Sequence, residues 1–234
     1  MVTGMILAAG AGKRFGSEKP KQFFLINKKP VLHYILKSFI DAGCFDNIIL
    51  VLSKPYFHTG NQLVEMFPQA KSKIFICEGG ETRQDSVYLG TLKAVELNQG
   101  KSDDLRIISH CGARPAIPKS IILQNLGKLR PGRCVNTVHK VFDTLIYETK
   151  KNQMDFIDRE KTFAVLTPQS FYANDYIKAY IPVQKDIAKY TCVCSVMTAN
   201  GLPMDLIISE YPIKKITVKS DLNVIKRDLK DLDE

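Results

Sequence analysis

The 234-residue sequence has no run of about eighteen apolar residues, so no segment has the length and character of a membrane-crossing helix. Met1 to Gly16 lacks the basic, apolar and cleavage-site order of a secretory leader, and together these absences predict a cytosolic protein with no membrane partner. Six cysteines, Cys44, Cys77, Cys111, Cys134, Cys192 and Cys194, lie scattered, and the one close pair has no histidine at metal-ligand spacing. They read as reduced thiols, most of them small buried groups. Net charge is +9, which favours anionic partners, yet the lysines are dispersed and no basic run interleaves with aromatics, so a nucleic-acid partner is not expected. Repeats, low-complexity tracts and long linkers are also missing, which leaves a single domain over 1–234.

What is present is an alternation of apolar runs and helical spacings. Val2 to Ala9 reads as a strand ending in a Gly-rich turn, residues 30–42 as a helix, and Asn47 to Leu52 as a second strand. Lys73 to Cys77 and Leu105 to Ser109 repeat the strand signal around a helix from Gln84 to Leu97, whose apolar positions are Val87, Leu89, Leu92 and Val95. This order predicts an α/β fold with a mostly parallel central sheet and helices on both faces. From Cys134 to Glu148 the residues alternate as paired strands do, with a polar turn at 150–153, so a β-arm at about 134–160 is expected to project and supply a dimer contact. The tail from Lys219 to Leu232 predicts a closing helix with Ser220 as N-cap and Leu222, Ile225 and Leu229 on one face.

The first strand runs into Leu7-Ala8-Ala9-Gly10-Ala11-Gly12-Lys13-Arg14, followed by Lys19-Pro20-Lys21-Gln22. Small residues let the backbone approach a phosphate, its N–H groups can cradle the oxygens, and nearby cations can neutralise a triphosphate. The string lacks the Gly-Lys-Ser/Thr ending of a Walker loop and the third glycine of a dinucleotide fingerprint, since position 15 is Phe.

The whole string LAAGxGxR with its later Pro-Lys-Gln resembles the opening of the cytidylyltransferases that act on 2-C-methyl-D-erythritol 4-phosphate or ribitol 5-phosphate. The likeness continues through Gly79 to Val87, His110 to Pro115, Phe142-Asp143-Thr144, Asp158-Arg159, Leu166 to Gln169, and Lys215-Ile216-Thr217. It implies a Rossmann-like (GT-A-like) nucleotidyltransferase fold, a homodimer, and transfer of CMP from CTP to a polyol or sugar phosphate with release of pyrophosphate. By this resemblance Arg14, Lys21 and Lys215 would be catalytic, stabilising charge at the α-phosphorus. Ala8, Ala9, Gly10, Gly12, Gly80, Glu81 and Ser86 would hold CTP. Glu81 and Ser86 can also be read as caps of the helix that follows, a role that can coexist with contact to the base. Arg114, Thr144, Arg159 and Thr167 would surround the acceptor phosphate, with Thr144 and Arg159 reaching it from the partner's arm; the bland alternative is an Asp143–Arg159 pair within the arm.

Two acids of the family pattern are missing, replaced by Cys111 and Cys192, and thiols are poor ligands for Mg²⁺. The expected cofactor is therefore Mg²⁺ bound mainly through the CTP phosphates, with no protein metal ligand; a slow enzyme or a binding-only descendant are the other readings. The arm has Ile146 where the methylerythritol enzymes usually carry Lys, which favours ribitol 5-phosphate and a role in cell-surface polymer synthesis over isoprenoid synthesis.

Overall fold

Every residue of the first strand, β1 (Val2–Leu7), is buried because both of its faces are covered. Met5 and Leu7 join Ile49, Val51, Val87 and Tyr176 in one apolar cluster, while Val2 and Ile6 join Leu32, Phe39, Leu50 and Leu52 in another. Such two-sided burial explains why the strand reads as a continuous apolar run rather than an alternation. The computed structural model describes residues 1–10, 19–211 and 213–231.

After β1 come β2 (Leu25–Ile26), β3 (Lys29–Pro30), α1 (Val31–Ala42), β4 (Asn47–Leu52), α2 (Phe57–Glu65), β5 (Ile74–Glu78), α3 (Arg83–Leu97) and β6 (Arg106–Cys111). The second half holds α4 (Lys119–Lys128), β7 (Cys134–Lys140), β8 (Leu145–Lys150), β9 (Gln153–Ile157), β10 (Phe163–Tyr172), α5 (Ala173–Val183), α6 (Val193–Ala199), β11 (Met204–Ile208) and α7 (Asp221–Asp231). Seven strands form one sheet in the order β11-β7-β10-β6-β1-β4-β5, in which β10 alone runs against its neighbours. The expected α/β fold with a mostly parallel sheet is what the chain adopts.

Two local expectations change, and one strand emerges that carries no signal in the sequence. The stretch 134–140 does not project: β7 is paired with β10 and β11 inside the main sheet, and the projecting hairpin is β8–β9 alone, turning at Asn152 with φ 64°. Helix α3 turns Val87, Gly90, Thr91 and Ala94 inward, whereas Leu89 and Leu92 are exposed. A Cβ at Gly90 would lie 2.9 Å from Met5, so the helix sits too close to the sheet for larger inward residues. Strand β10 carries Pro168, which has no N–H for the ladder, and the register shifts between Val165 and Gln169; this breaks the strand pattern in the sequence.

The apolar face of the tail helix packs as expected. Ile225 and Leu229 are buried beside Ile26, Val31 and Ile216, with Leu222 packed on them. Asp221, next to Ser220, anchors the helix start by accepting the N–H groups of Thr217 and Val218 at 2.7 and 2.9 Å. All six cysteines are free thiols, with Cys111, Cys134 and Cys194 buried and the other three half-buried. Among the described residues no helix is long and apolar enough to cross a membrane.

Candidate active site

The C-terminal ends of parallel strands, where chains cross to opposite faces of a sheet, are where α/β folds open crevices. Here β1, β5 and β6 end around a cavity of about 420 Å³ lined by Ala8, Ala9, Gly10, Lys21, Gly80, Glu81, Arg83, Ser86, Cys111 and Lys215, among others. Eight residues expected from the sequence, Ala8, Ala9, Gly10, Lys21, Gly80, Glu81, Ser86 and Lys215, therefore meet in one place. Gly12 and Arg14 lie outside the described residues.

The strand-end loop is held from below. Ala8 donates its N–H to Val51 at 2.8 Å, and the buried Gln22 side chain donates to the carbonyls of Ala8 and, at 3.3 Å, Gly10. Gln22 follows Lys21 in a 3₁₀ turn, Lys21–Phe23, that puts Lys21 on the cavity wall. Opposite, the hydroxyl of Ser86 accepts the N–H of Gly80 at 3.1 Å and donates to Thr82 at 3.0 Å. Ser86 thus fixes the Gly80 loop and does not cap α3. Nor does Glu81: the N-cap is Thr82, whose Oγ1 takes the Asp85 N–H at 3.1 Å while the Asp85 carboxylate takes the Thr82 N–H at 2.9 Å. Burial pushes the Asp85 carboxyl up, but hydrogen bonds from Tyr180, at 2.6 Å, and from Thr82 outweigh it and hold the group below the ordinary aspartate value.

At the end of β6 the floor is a buried polar chain. Thr167 Oγ1 lies 3.0 Å from His110 Nδ1 and takes the Cys111 N–H at 3.3 Å, while His110 Nε2 lies 2.9 Å from the Arg114 carbonyl. A carbonyl only accepts, so Nε2 carries the proton and Nδ1 accepts from Thr167. Burial, with Arg114 and Arg83 nearby, pushes the His110 pKa down to about 3, so the ring is neutral. The Thr167 hydroxyl, with its proton given to His110 and one lone pair to Cys111, retains a single lone pair for any ligand. Gly112 packs against Ala8; a Cβ there would stand 2.7 Å from Ala8 Cβ and 2.9 Å from the Leu7 carbonyl, so the two strand ends can approach only with glycine here.

Arg114 lines a smaller cavity of about 110 Å³ that shares Arg83, Cys111 and Lys215 with the large one and adds Thr167, Thr191 and Cys192. Its guanidinium donates to the Ile213 carbonyl, and Ile216 donates its N–H to Ala113 at 2.8 Å, so the turn after β6 clasps the segment that carries Lys215 on both sides. Cys111 sits where the charges of Arg83, Lys215 and Arg114 converge. Burial pushes its thiol up, but these three cations and a hydrogen bond from the Ala113 backbone outweigh that and leave it below the ordinary cysteine value.

Sequence reasoning missed Arg83, Gln22 and His110. Arg83 stands at the first position of α3, where a cation opposes the helix dipole. That misfit, inside the Gly79 to Val87 string, was the available signal. Thr144 and Arg159 do not line either cavity of their own chain. Both are exposed at the root of the hairpin, where Arg159 donates to the Phe142 carbonyl at 3.1 Å and pairs with Glu160 at 3.6 Å; among the described residues its ion pair is with Glu160 and not with Asp143.

The donor set does not suit a protein-held Mg²⁺. Among the described residues the sole carboxylate on either cavity wall is Glu81, the thiols of Cys111 and Cys192 stand on the shared floor, and no cluster of three metal-ligating side chains occurs.

Known proteins resemble the chain over nearly its whole length. A 2-C-methyl-D-erythritol 4-phosphate cytidylyltransferase of Thermosipho melanesiensis is 30% identical over 226 residues, 96% of each chain. A ribitol-5-phosphate cytidylyltransferase of Streptococcus agalactiae serotype III is 28% identical over 229 residues, 97% of this chain and 94% of its own. Among solved structures, the Francisella tularensis 2-C-methyl-D-erythritol 4-phosphate cytidylyltransferase superposes with TM-score 0.77 at 26% identity, covering 97% of this chain and 99% of its own. The 4-diphosphocytidyl-2C-methyl-D-erythritol synthase of Anaerococcus prevotii shares the fold, with TM-score 0.80 at 22% identity over 98% of both chains. Residues 2–230 match the family described as IspD, 2-C-methyl-D-erythritol 4-phosphate cytidylyltransferase, and the chain belongs to this family of nucleotidyltransferases.

Proposed function

We propose that the chain transfers CMP from CTP to a small phosphorylated polyol, with ribitol 5-phosphate the favoured acceptor. The observation that carries this reading is the meeting of a tied backbone ring, Ala8 to Gly10 with Gly80 to Ser86, and a convergent set of cations, Lys21, Arg83 and Lys215, on one cavity. The ring suits the edge of a base and the cations suit phosphates. An oxygen of the acceptor phosphate attacks the α-phosphorus, the bond to the bridging oxygen of the β-phosphate breaks, and pyrophosphate leaves with that electron pair. A phosphate monoester is largely dianionic at neutral pH, so its oxygen needs no general base. A site of fixed cations and one neutral, buried histidine is consistent with that demand. Mg²⁺ would enter on the phosphates of CTP.

The acceptor half would be completed by a second copy. Ile146 and Phe156 pair across the hairpin and are 58% and 71% exposed, with Met154 at 60% and Phe142 at 71% beside them. Apolar side chains this bare on a two-stranded arm favour cover, and a partner copy would bring Thr144 and Arg159 to the site. A second reading takes 2-C-methyl-D-erythritol 4-phosphate as acceptor, since Val165, Leu166 and Cys192 give the smaller cavity an apolar side that would receive a methyl branch.

The test is pyrophosphate release from CTP with Mg²⁺ and a panel of acceptors: ribitol 5-phosphate, 2-C-methyl-D-erythritol 4-phosphate, glycerol 3-phosphate and pentose phosphates, with UTP and ATP as controls. Turnover is expected with CTP and ribitol 5-phosphate. CTP binding without release on any acceptor overturns the transfer reading in favour of a binding-only descendant.

A further inference from the structure

Gln22 is 3% exposed, yet it carries an amide rather than an apolar group into the interior. A methionine would fill a similar volume without a polar group to desolvate, so packing alone gives no reason for the amide. Its Nε2 uses both hydrogens on backbone carbonyls, those of Ala8 and Gly10. These belong to the strand-end loop on one side of the cavity. The neighbour of Gln22 in the chain, Lys21, stands on the wall of the same cavity. One buried side chain therefore joins two parts of the wall that lie more than ten residues apart in sequence.

From this geometry we infer that Gln22 is a positioning residue of the transfer reaction, locking the Ala8–Gly10 backbone and Lys21 at a fixed separation so that both meet one nucleotide at once. The inference rests on the transfer reading above. Lys21 would act on charge that develops at the α-phosphorus, while the loop grips the base. An error of about 1 Å between them would cost up to about 100-fold in rate while leaving much of ground-state binding intact.

The experiment compares wild type, Gln22→Met and Gln22→Glu, the last placing a carboxylate against two carbonyl oxygens. Gln22→Met should lower kcat by about 10- to 100-fold with KM for CTP changed by less than about threefold. In a Lys21→Ala background the same change should cost less than about twofold, because the residue it positions is gone. A wild-type kcat in Gln22→Met, or an equal cost with and without Lys21, overturns the inference. Hydrogen exchange gives an arm that needs no turnover: amides of the segment containing Ala8 to Gly10 should exchange faster in both variants while those of β4 and α3 keep their protection. Unchanged exchange in that segment overturns the clasp itself, including for an enzyme silent on every acceptor. Silence of the wild type with altered exchange in the variants assigns the failure to the transfer reading. If Gln22→Met does not fold, Gln22→Glu carries the same two measurements.

Discussion

Along the walls of the larger cavity the carbonyls of Ala8 and Gly10 are tied to the Gln22 side chain, and the N–H of Gly80 to the hydroxyl of Ser86, all within a single chain. Thr144 and Arg159, proposed for the acceptor, stand exposed at the root of a hairpin that also exposes Ile146, Met154 and Phe156. The first half is closed by bonds among short sequence motifs. The second is left open, and its proposed residues line neither cavity of their own chain. The contrast teaches that a motif is legible in the sequence when the groups that tie it lie within fourteen residues of it, as Gln22 and Ser86 do, and is not when its own chain brings it to no cavity wall.

The largest expected effect breaks the comparison across that boundary. Lys215→Ala removes a cation from the cavity and Arg159→Ala removes one from the arm; each should lower kcat by about 10²- to 10³-fold if it stabilises charge in the transition state. Mixing the two variants under conditions of subunit exchange should restore about one quarter of wild-type activity, because half of randomly paired dimers would hold one site with neither defect. Recovery confirms that the two halves come from different copies. No recovery, with exchange verified, places both residues in one chain's site and removes the open half from the argument.

A smaller effect sharpens the closed half. His110 is held neutral at its floor, with a pKa of about 3 against 6.5 unfolded. The unfolded chain therefore takes up a proton that the folded chain refuses. The stability this represents is fully present above pH 6.5 and is lost as pH falls from there toward 3, the loss reaching about 1.4 kcal/mol by pH 5.5. His33 shares the sign, its pKa pushed down to about 4 by burial and by Lys29 and Lys37. The thermal midpoint should fall between pH 7 and 5, and His110→Asn should flatten the curve without abolishing its slope. A pH-independent midpoint in wild type would mean that the floor admits the proton.

The same contrast accounts for what was legible in the sequence. The parallel core and the strand-end loops follow from apolar runs buried on both faces and from small residues at strand ends, which are local signals; hence β1, β4 and the Ala8 to Gly10 loop stand as read. Two readings failed, and one strand went unread, where the cause was tertiary. Leu89 and Leu92 have helical spacing but the inward face belongs to Gly90 and Ala94, because α3 packs too close to Met5 for leucine. Strand β10 hides behind Pro168, and β7 looks like an arm because alternation does not say which strand will pair with it. His110 and Gln22 escaped because a buried polar side chain declares its role only through partners distant in sequence.

The smallest effect concerns the thiol beside the open half. Cys192 is the N-cap of α6, its Sγ taking the Ser195 N–H at 3.4 Å while Ser195 Oγ takes the Cys192 N–H at 3.3 Å. Sulfur is a weak acceptor, and aspartate is among the strongest N-cap residues because a carboxylate both accepts the N–H and faces the positive end of the helix. Cys192→Asp should therefore stabilise the fold by about 0.5–1 kcal/mol, raising the thermal midpoint by roughly 2–3 °C. It would also add a hard oxygen to the smaller cavity, where Arg83, Arg114 and Lys215 stand. If the gain in midpoint vanishes when CTP is bound, the new carboxylate is competing with the ligand for those cations, and the cap lies within reach of the phosphates. A gain that is the same with and without CTP keeps Cys192 as a helix cap alone, out of reach of the phosphates.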